Sequence, residues 1–113
     1  AIGSEPPAPG YDSQPHWEMV QRGHAAANLM PVVASNRIGT EVAPDGREVT
    51  FYGSSFIADH TGQLVAKADR QSEGVLVHQF DLDAIAALRA SWGLFRDRRP
   101  ALYGAVGTLD GKA

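Results

Sequence analysis

The residue pattern predicts an α/β fold in which two helices lie on about four strands and one sheet face is left without cover. Three observations carry that prediction. Apolar residues recur at three- and four-residue spacing over residues 14–29 and again from Leu82 to Trp92, the period of amphipathic helices. Between these stretches, β-branched and aromatic runs alternate with short polar turns, the pattern of antiparallel strands. Val32, Val33 and Ala34 are apolar at consecutive positions, which suits a strand covered on both faces, whereas two helices cover only one face of such a sheet.

The elements follow in order. Residues 3–12 read as a loop, because Pro6, Pro7 and Pro9 remove backbone donors and Gly10 follows them. Asp12 or Ser13 offers a helix N-cap, and Pro15 fits the first turn. Trp17, Val20, His24 and Ala27 form the apolar stripe of the first helix, with Glu18, Gln21 and Arg22 on its far side and Pro31 ending it. Val32–Ala34 is a short buried strand. Residues 40–48, with Pro44-Asp45-Gly46, form a loop or hairpin tip. The run "VTFYGSSFI" (49–57) reads as one strand with small residues at its centre. Turns at 58–63 and 69–74 separate it from strands at 64–68 and 75–80, so these three strands form a meander. Asp81 caps the second helix, Leu82, Ile85, Leu88 and Trp92 mark its stripe, and Gly93 stops it. The tail carries the charge run Arg96, Asp97, Arg98, Arg99, and Pro100 starts a short helix.

At 113 residues the chain fits one domain. With 43% hydrophobic and 20% charged residues the composition is globular rather than disordered. A net charge of −3 provides no basic face for a phosphate backbone, so no nucleic-acid partner is expected. No apolar run approaches membrane-spanning length and no signal peptide is visible, so no membrane partner is expected and the expectation is a soluble, cytoplasmic protein. Cysteine is absent, which excludes disulfides, thiolate metal sites and a cysteine nucleophile within these residues.

His16, His24, His60 and His78 do not pair at metal-ligand spacing, so they read as structural and no metal is expected. Ser54 and Ser55 follow Gly53, but "YGSSF" lacks the strand–turn–helix context of a nucleophile elbow. Small residues packing a crowded sheet are the better reading, and a Ser55–His–Asp set stays open as the weaker one. No Gly-rich loop opens a helix, so no phosphate cradle is expected. The charge run is flanked by Trp92, Phe95 and Tyr103, and arginines interleaved with aromatics are the composition of a protein–protein interface. Glu5 is either an exposed loop carboxylate or one held by flanking prolines at the mouth of a site; composition alone favours the former.

Several stretches together carry a resemblance: "AIGSEP", "HWEMVQRGHAAANLMPVVASNRIG", "TFYGSSFIADHTGQLVAKAD", "VLVHQFDLDAIAALRASWGLFRDRRPALY" and "TLDG". In this order they resemble the C-terminal part of the nitrilase (carbon–nitrogen hydrolase) superfamily, and within it the branch acting on N-carbamoylputrescine. "SNRIG" and "RRPALY" echo the superfamily broadly, while "AIGSEP" and "WGLFRDRRPALY…TLDG" point to the branch. The resemblance implies a four-layer α-β-β-α sandwich of which residues 1–113 are the C-terminal portion, so that the chain begins mid-protein. It implies cleavage of a ureido C–N bond to putrescine, ammonia and carbon dioxide by a Cys–Glu–Lys set, without metal or organic cofactor. In the family that set precedes the stretch matching "AIGSEP". Lys67 and Lys112 are the only lysines and neither matches, so no catalytic residue is expected here. The chain alone is expected to be inactive, its partner being the N-terminal half of the same domain.

The resemblance also moves Glu5 to a contact with the distal ammonium of a carbamoylated diamine, with Ile2 and Gly3 lining the same wall through their backbone. Asn36 and Arg37 are expected to bond loop carbonyls near the site, and Ser55 to be structural. Because superfamily members pair through a helical face and a crossing tail, Trp17, Val20 and His24, with Phe95, Arg96, Arg98, Arg99 and Tyr103, are the expected homo-oligomer contacts. Two alternatives stand beside this reading. One is a ureidopropionase-like member whose pocket presents Arg to a substrate carboxylate. The other is a non-catalytic fragment that only packs or oligomerises.

Overall fold

The computed structural model of the chain describes residues 1–4 and 10–112. Helix α1 (Gln14–Asn28) follows Ser13 and carries Pro15 in its first turn. It closes on Leu29 in the left-handed region at φ 47°, where the N–H groups of Leu29 and Met30 donate to the carbonyls of Ala26 and Ala25. A left-handed leucine costs roughly 1–2 kcal/mol. Its burial, at 4% exposure, offsets a cost of that size.

Of the predicted stripe of α1, only Trp17 packs against the core. Gln14, Glu18 and Ala25 are buried, whereas Val20, His24 and Ala27 are exposed. Two contacts explain the rotation. Ala25 is short enough to bring the helix onto Ala34, Phe56 and Ala58 of the core, and the Glu18 carboxylate finds cations and an amide there to match it.

Strands β1 (Val32–Ala34), β4 (Phe56–Ala58) and β5 (Leu64–Lys67) form a three-stranded antiparallel sheet in the order β1-β4-β5. Val32 pairs with Ala58 and Ala34 with Phe56, and a register irregularity between Ile57 and Ala58 interrupts the β4–β5 ladder. Strands β2 (Ile38–Val42) and β3 (Glu48–Tyr52) form a separate hairpin, from Ile38↔Tyr52 to Val42↔Glu48. The predicted tip narrows to residues 43–47, where Asp45 Oδ1 accepts the Arg47 N–H; residues 40–42 belong to β2.

The run 49–57 is two strands, not one. Gly53 (φ 52°) and Ser54 (φ 59°) are both left-handed and turn the chain from the β2–β3 hairpin into the other sheet. The Gly53 N–H donates to the Arg37 carbonyl and the Ser54 N–H to that of Asp69, both at 2.9 Å. A Cβ on Gly53 would stand 2.8 Å from Ile38 Cγ2 and 2.9 Å from the Asp69 oxygen, so a side chain does not fit at this corner. The predicted meander is replaced accordingly. Residues 75–80, expected as its last strand, join neither sheet.

Helix α2 (Leu82–Trp92) has the predicted ends. Asp81 accepts the Ala84 N–H at 2.9 Å, and Gly93 is left-handed at φ 66°. Only Ile85 of this helix is buried. Pro100 opens the first of two short 3₁₀ turns, Pro100–Leu102 and Gly104–Gly107.

The core gathers Ala25, Ala34, Phe56 and Ala58, with Trp17, Val32 and Leu64 packed against it. Val33, Val75 and Val77 stay 69%, 88% and 83% exposed. The radius of gyration is 18.3 Å, against roughly 13 Å for a compact chain of this length. These two facts agree with apolar surface left uncovered, on β1 at Val33 and along the extended run at Val75 and Val77.

Candidate functional site

The segment Ile2–Ser4 is held against β3 and the β1–β2 connection. Gly3 forms an antiparallel bridge with Phe51. The Ser4 N–H donates to the Thr50 carbonyl at 2.8 Å, and the Thr50 N–H donates to Ser4 Oγ at 3.0 Å. Gly3 is buried, and a Cβ there would lie 2.5 Å from the Thr50 oxygen, so only glycine permits this approach.

Asn36 grips the same segment from the other side. Its Oδ1 accepts the Ile2 N–H at 2.9 Å, and its Nδ2 donates to the Ile2 carbonyl at 2.8 Å and to the Gly53 carbonyl at 3.0 Å. Ser55 Oγ in turn accepts the Asn36 N–H at 2.9 Å and donates to the Asn36 carbonyl at 3.1 Å. Asn36 borders two recesses. One of about 590 Å³ is also lined by Gly53, Ser54, Ser55 and Asp69; the other, of about 400 Å³, by Ala1, Ile2 and Trp17.

This geometry sorts the sequence-derived candidates. Asn36 does bond carbonyls at the segment expected to border the site. Arg37 does not: at the root of the β2–β3 hairpin, one residue before β2, its guanidinium lies 4.5 Å from the centre of the Phe51 ring and pairs with Glu41. Gly3 lies against Phe51, and the Ile2 N–H and carbonyl are both engaged by Asn36. Glu5 lies outside the described residues. Ser54 Oγ donates to the Tyr52 carbonyl at 2.9 Å and Ser55 Oγ to Asn36, so both hydroxyl protons are committed to backbone oxygens and the serine-nucleophile reading loses its geometry. Among the described residues no three His, Asp or Glu side chains converge as metal ligands, and no helix is long and apolar enough to cross a membrane. The Ser4–Thr50 pairing had no signal in the residue pattern, since the two lie 46 positions apart.

The contact candidates divide. Trp17 packs edge-on against Tyr52 and Phe56, with ring centres 6.0 and 5.5 Å apart, so its ring serves the interior of this chain. Val20 and His24 are exposed, beside Met19. Phe95 lies under the guanidinium groups of Arg89 and Arg98. Arg96 pairs with Asp97, and Tyr103 Oη accepts the Arg99 N–H at 3.0 Å. Phe95 and Tyr103 keep about half their surface exposed.

Glu18 is the best-matched charge. Lys67 and Arg22 pair with it, and Gln14 Nε2 donates to it at 2.9 Å. Burial pushes its carboxyl up, but the hydrogen bonds from Lys67, Gln14 and Arg22 outweigh burial and hold it below the usual range. A carboxyl lowered on folding adds stability above its unfolded value and loses it as pH falls through the folded value. Glu18→Gln is therefore expected to cost about 1–2 kcal/mol at pH 7 and progressively less at pH below the ordinary glutamate range. Urea unfolding of both proteins at pH 7 and pH 3 measures this; an equal cost at both would refute the ionic origin.

The carbon–nitrogen hydrolase family model matches residues 2–90. The chain belongs to the carbon–nitrogen hydrolase family. It is 58% identical to the N-carbamoylputrescine amidase of Arabidopsis thaliana over 98% of its own length and 38% of that protein. It is 56% identical to a citrullinase of Francisella tularensis over 94% of its length and 37% of that protein. The crystal structure of a carbon–nitrogen hydrolase from Helicobacter pylori G27 superimposes with a TM-score of 0.83 at 36% identity, covering 96% of this chain and 39% of the other. The chain thus spans under two-fifths of the length of these carbon–nitrogen hydrolases. Its α/β architecture is part of the nitrilase-type sandwich, as its fold class predicts. The gripped segment, Asn36 and the Gly53–Ser54 corner all lie within the matched residues.

Proposed function

We propose that this chain is the C-terminal portion of a carbon–nitrogen hydrolase domain that cleaves N-carbamoylputrescine. Identities of 53–58% to N-carbamoylputrescine amidases over nearly the whole chain are the observation that carries the reading. The uncovered valines are its physical counterpart, because the preceding half of the domain supplies the missing layer. That half also supplies the chemistry. A cysteine thiolate attacks the ureido carbon, a glutamate moves protons between nucleophile, leaving amine and water, and a lysine stabilises the tetrahedral oxyanion. One water is consumed net, and putrescine, ammonia and carbon dioxide leave. The present residues contribute the pocket wall at Ile2 and Gly3 and a carboxylate, Glu5, for the distal ammonium. The domain works in the cytoplasm as a homo-oligomer, with the exposed face of α1 and the Phe95–Tyr103 tail as contacts.

The citrullinase relative favours a second reading, in which the substrate is citrulline, a ureido compound that adds a carboxylate to the distal ammonium. Turnover of N-carbamoylputrescine, citrulline and N-carbamoyl-β-alanine by the chain joined to its preceding half discriminates among the readings. We expect N-carbamoylputrescine to lead both acids, and to lead N-carbamoyl-β-alanine, which lacks the distal ammonium, by at least about tenfold in kcat/KM, the value of one lost charge-assisted hydrogen bond. A lead for either acid overturns the choice of substrate. No turnover of any of the three favours the non-catalytic fragment.

A further inference from the structure

We propose that α2 carries a self-complementary face on which a second copy of the domain docks with its own α2 antiparallel. The inference rests on the reading that the domain is a homo-oligomer, and it adds α2 to the contacts. Eight of the eleven residues of α2 are apolar, yet only Ile85 is buried, and a helix of that composition is one that packs against something. Leu82, Ala86, Ala90 and Gly93 recur at four- and three-residue spacing, so they share one face, and Leu82 is 65% exposed on it. Asp83 and Arg89 flank that face, one in the first turn and one in the last. Neither pairs with an opposite charge among the described residues. Arg89 is nevertheless held in place: its Nε donates to the Asn28 carbonyl at 2.9 Å, and its guanidinium lies 5.1 Å from the centre of the Phe95 ring. Towards the end of the helix the face opens into a recess of about 270 Å³ lined by Ala86, Arg89, Ala90, Gly93, Phe95 and Arg96. A two-fold axis over Ala86 decides what meets what. Antiparallel helices then set Leu82 of one copy against Ala90 of the other, which lines the recess, and Asp83 against Arg89. Each contact occurs twice, as an isologous interface requires. The acidic start and basic end of α2 fix the antiparallel sense, because parallel packing would bring like charges together. Phe95 and Arg96 carry the same surface on into the tail.

Sedimentation velocity on the chain joined to its preceding half tests this with Asp83→Arg and Arg89→Asp. Each variant alone sets like charges together at both ends of the contact, and its dissociation constant is expected to rise at least about tenfold. Mixed in equal amounts, the two variants are expected to associate with each other to within about threefold of the wild-type constant, because one ion pair is then native and the other reversed. Should Arg89→Asp fail to fold, the pair Ala86→Glu and Ala86→Arg carries the same comparison of each variant alone with the mixture, since each repels its own copy across the axis and attracts the other. Association unchanged in the single variants overturns the proposal. A loss that mixing does not restore also overturns it, and places this face of α2 against the preceding half of the domain. If the wild type is itself a monomer, the homo-oligomer reading fails and the proposal falls with it, whereas an oligomer indifferent to the variants overturns the proposal alone.

Discussion

Phe56→Ala is expected to destabilise the chain by about 3–5 kcal/mol, the range for truncating a fully buried phenylalanine. Phe56 has no exposed surface. It sits on the central strand of its sheet, opposite Ala34 on β1 and Lys67 on β5, under the edge of Trp17. The size of the effect follows from its neighbours. Ala25, Ala34 and Ala58 share its buried cluster, and an alanine Cβ is fixed to the backbone, so none of the three swings in to fill the void. The cavity persists and adds its own term to the lost burial. Urea unfolding reads it as a midpoint lowered by more than about 1 M. Val77→Ala is the internal reference: at 83% exposure it is expected to change stability by no more than about 0.5 kcal/mol in the isolated chain. A Phe56→Ala cost below about 1 kcal/mol would mean that the core lies elsewhere.

The buried cluster around Phe56 also shows why parts of the fold were legible in sequence and others not. Both helices, β1 and β5 announce themselves locally, through period and through caps such as Asp81 and Gly93. The misread features depend on contacts far along the chain. By composition "YGSS" suits a strand, and it bends because Arg37 and Asp69 take its N–H groups. Glu18 reads as a solvent-facing charge until Lys67, 49 positions later, arrives beside it. Residues 75–80 have strand composition but pair with neither sheet. At the site, Asn36 was legible as a ligand of nearby carbonyls. That it grips both the N–H and the carbonyl of one residue, 34 positions away, is a tertiary fact that spacing does not encode. Composition left Glu5 a bystander; the family resemblance gave it a role.

That role makes the second large prediction. Glu5→Gln in the full chain is expected to lower kcat/KM for N-carbamoylputrescine about 10- to 100-fold, because a hydrogen bond to a charged partner contributes about 1.5–3 kcal/mol. Glutamine keeps the shape and an acceptor oxygen but removes the charge, so a loss of this size reports charge and not packing. Butylurea supplies the control, since it has no ammonium for Glu5 to meet and its kcat/KM should hold within about twofold. The root of the segment supports this separation. Ser4 and Thr50 exchange two hydrogen bonds, one through the Ser4 side chain, and Asn36 holds Ile2, none of which requires the carboxylate, so Glu5→Gln should leave the fold and the catalytic set intact. Glu5→Arg carries the argument to reversed charge: discrimination by a single ion pair works as much through repulsion of the wrong partner as through attraction of the right one. The arginine variant should therefore lose N-carbamoylputrescine further and gain relative preference for N-carbamoyl-β-alanine. If Glu5→Gln instead leaves the ratio between N-carbamoylputrescine and butylurea unchanged, amine selectivity resides in the preceding half of the domain, and this chain contributes a wall to the pocket without reading its substrate's charge.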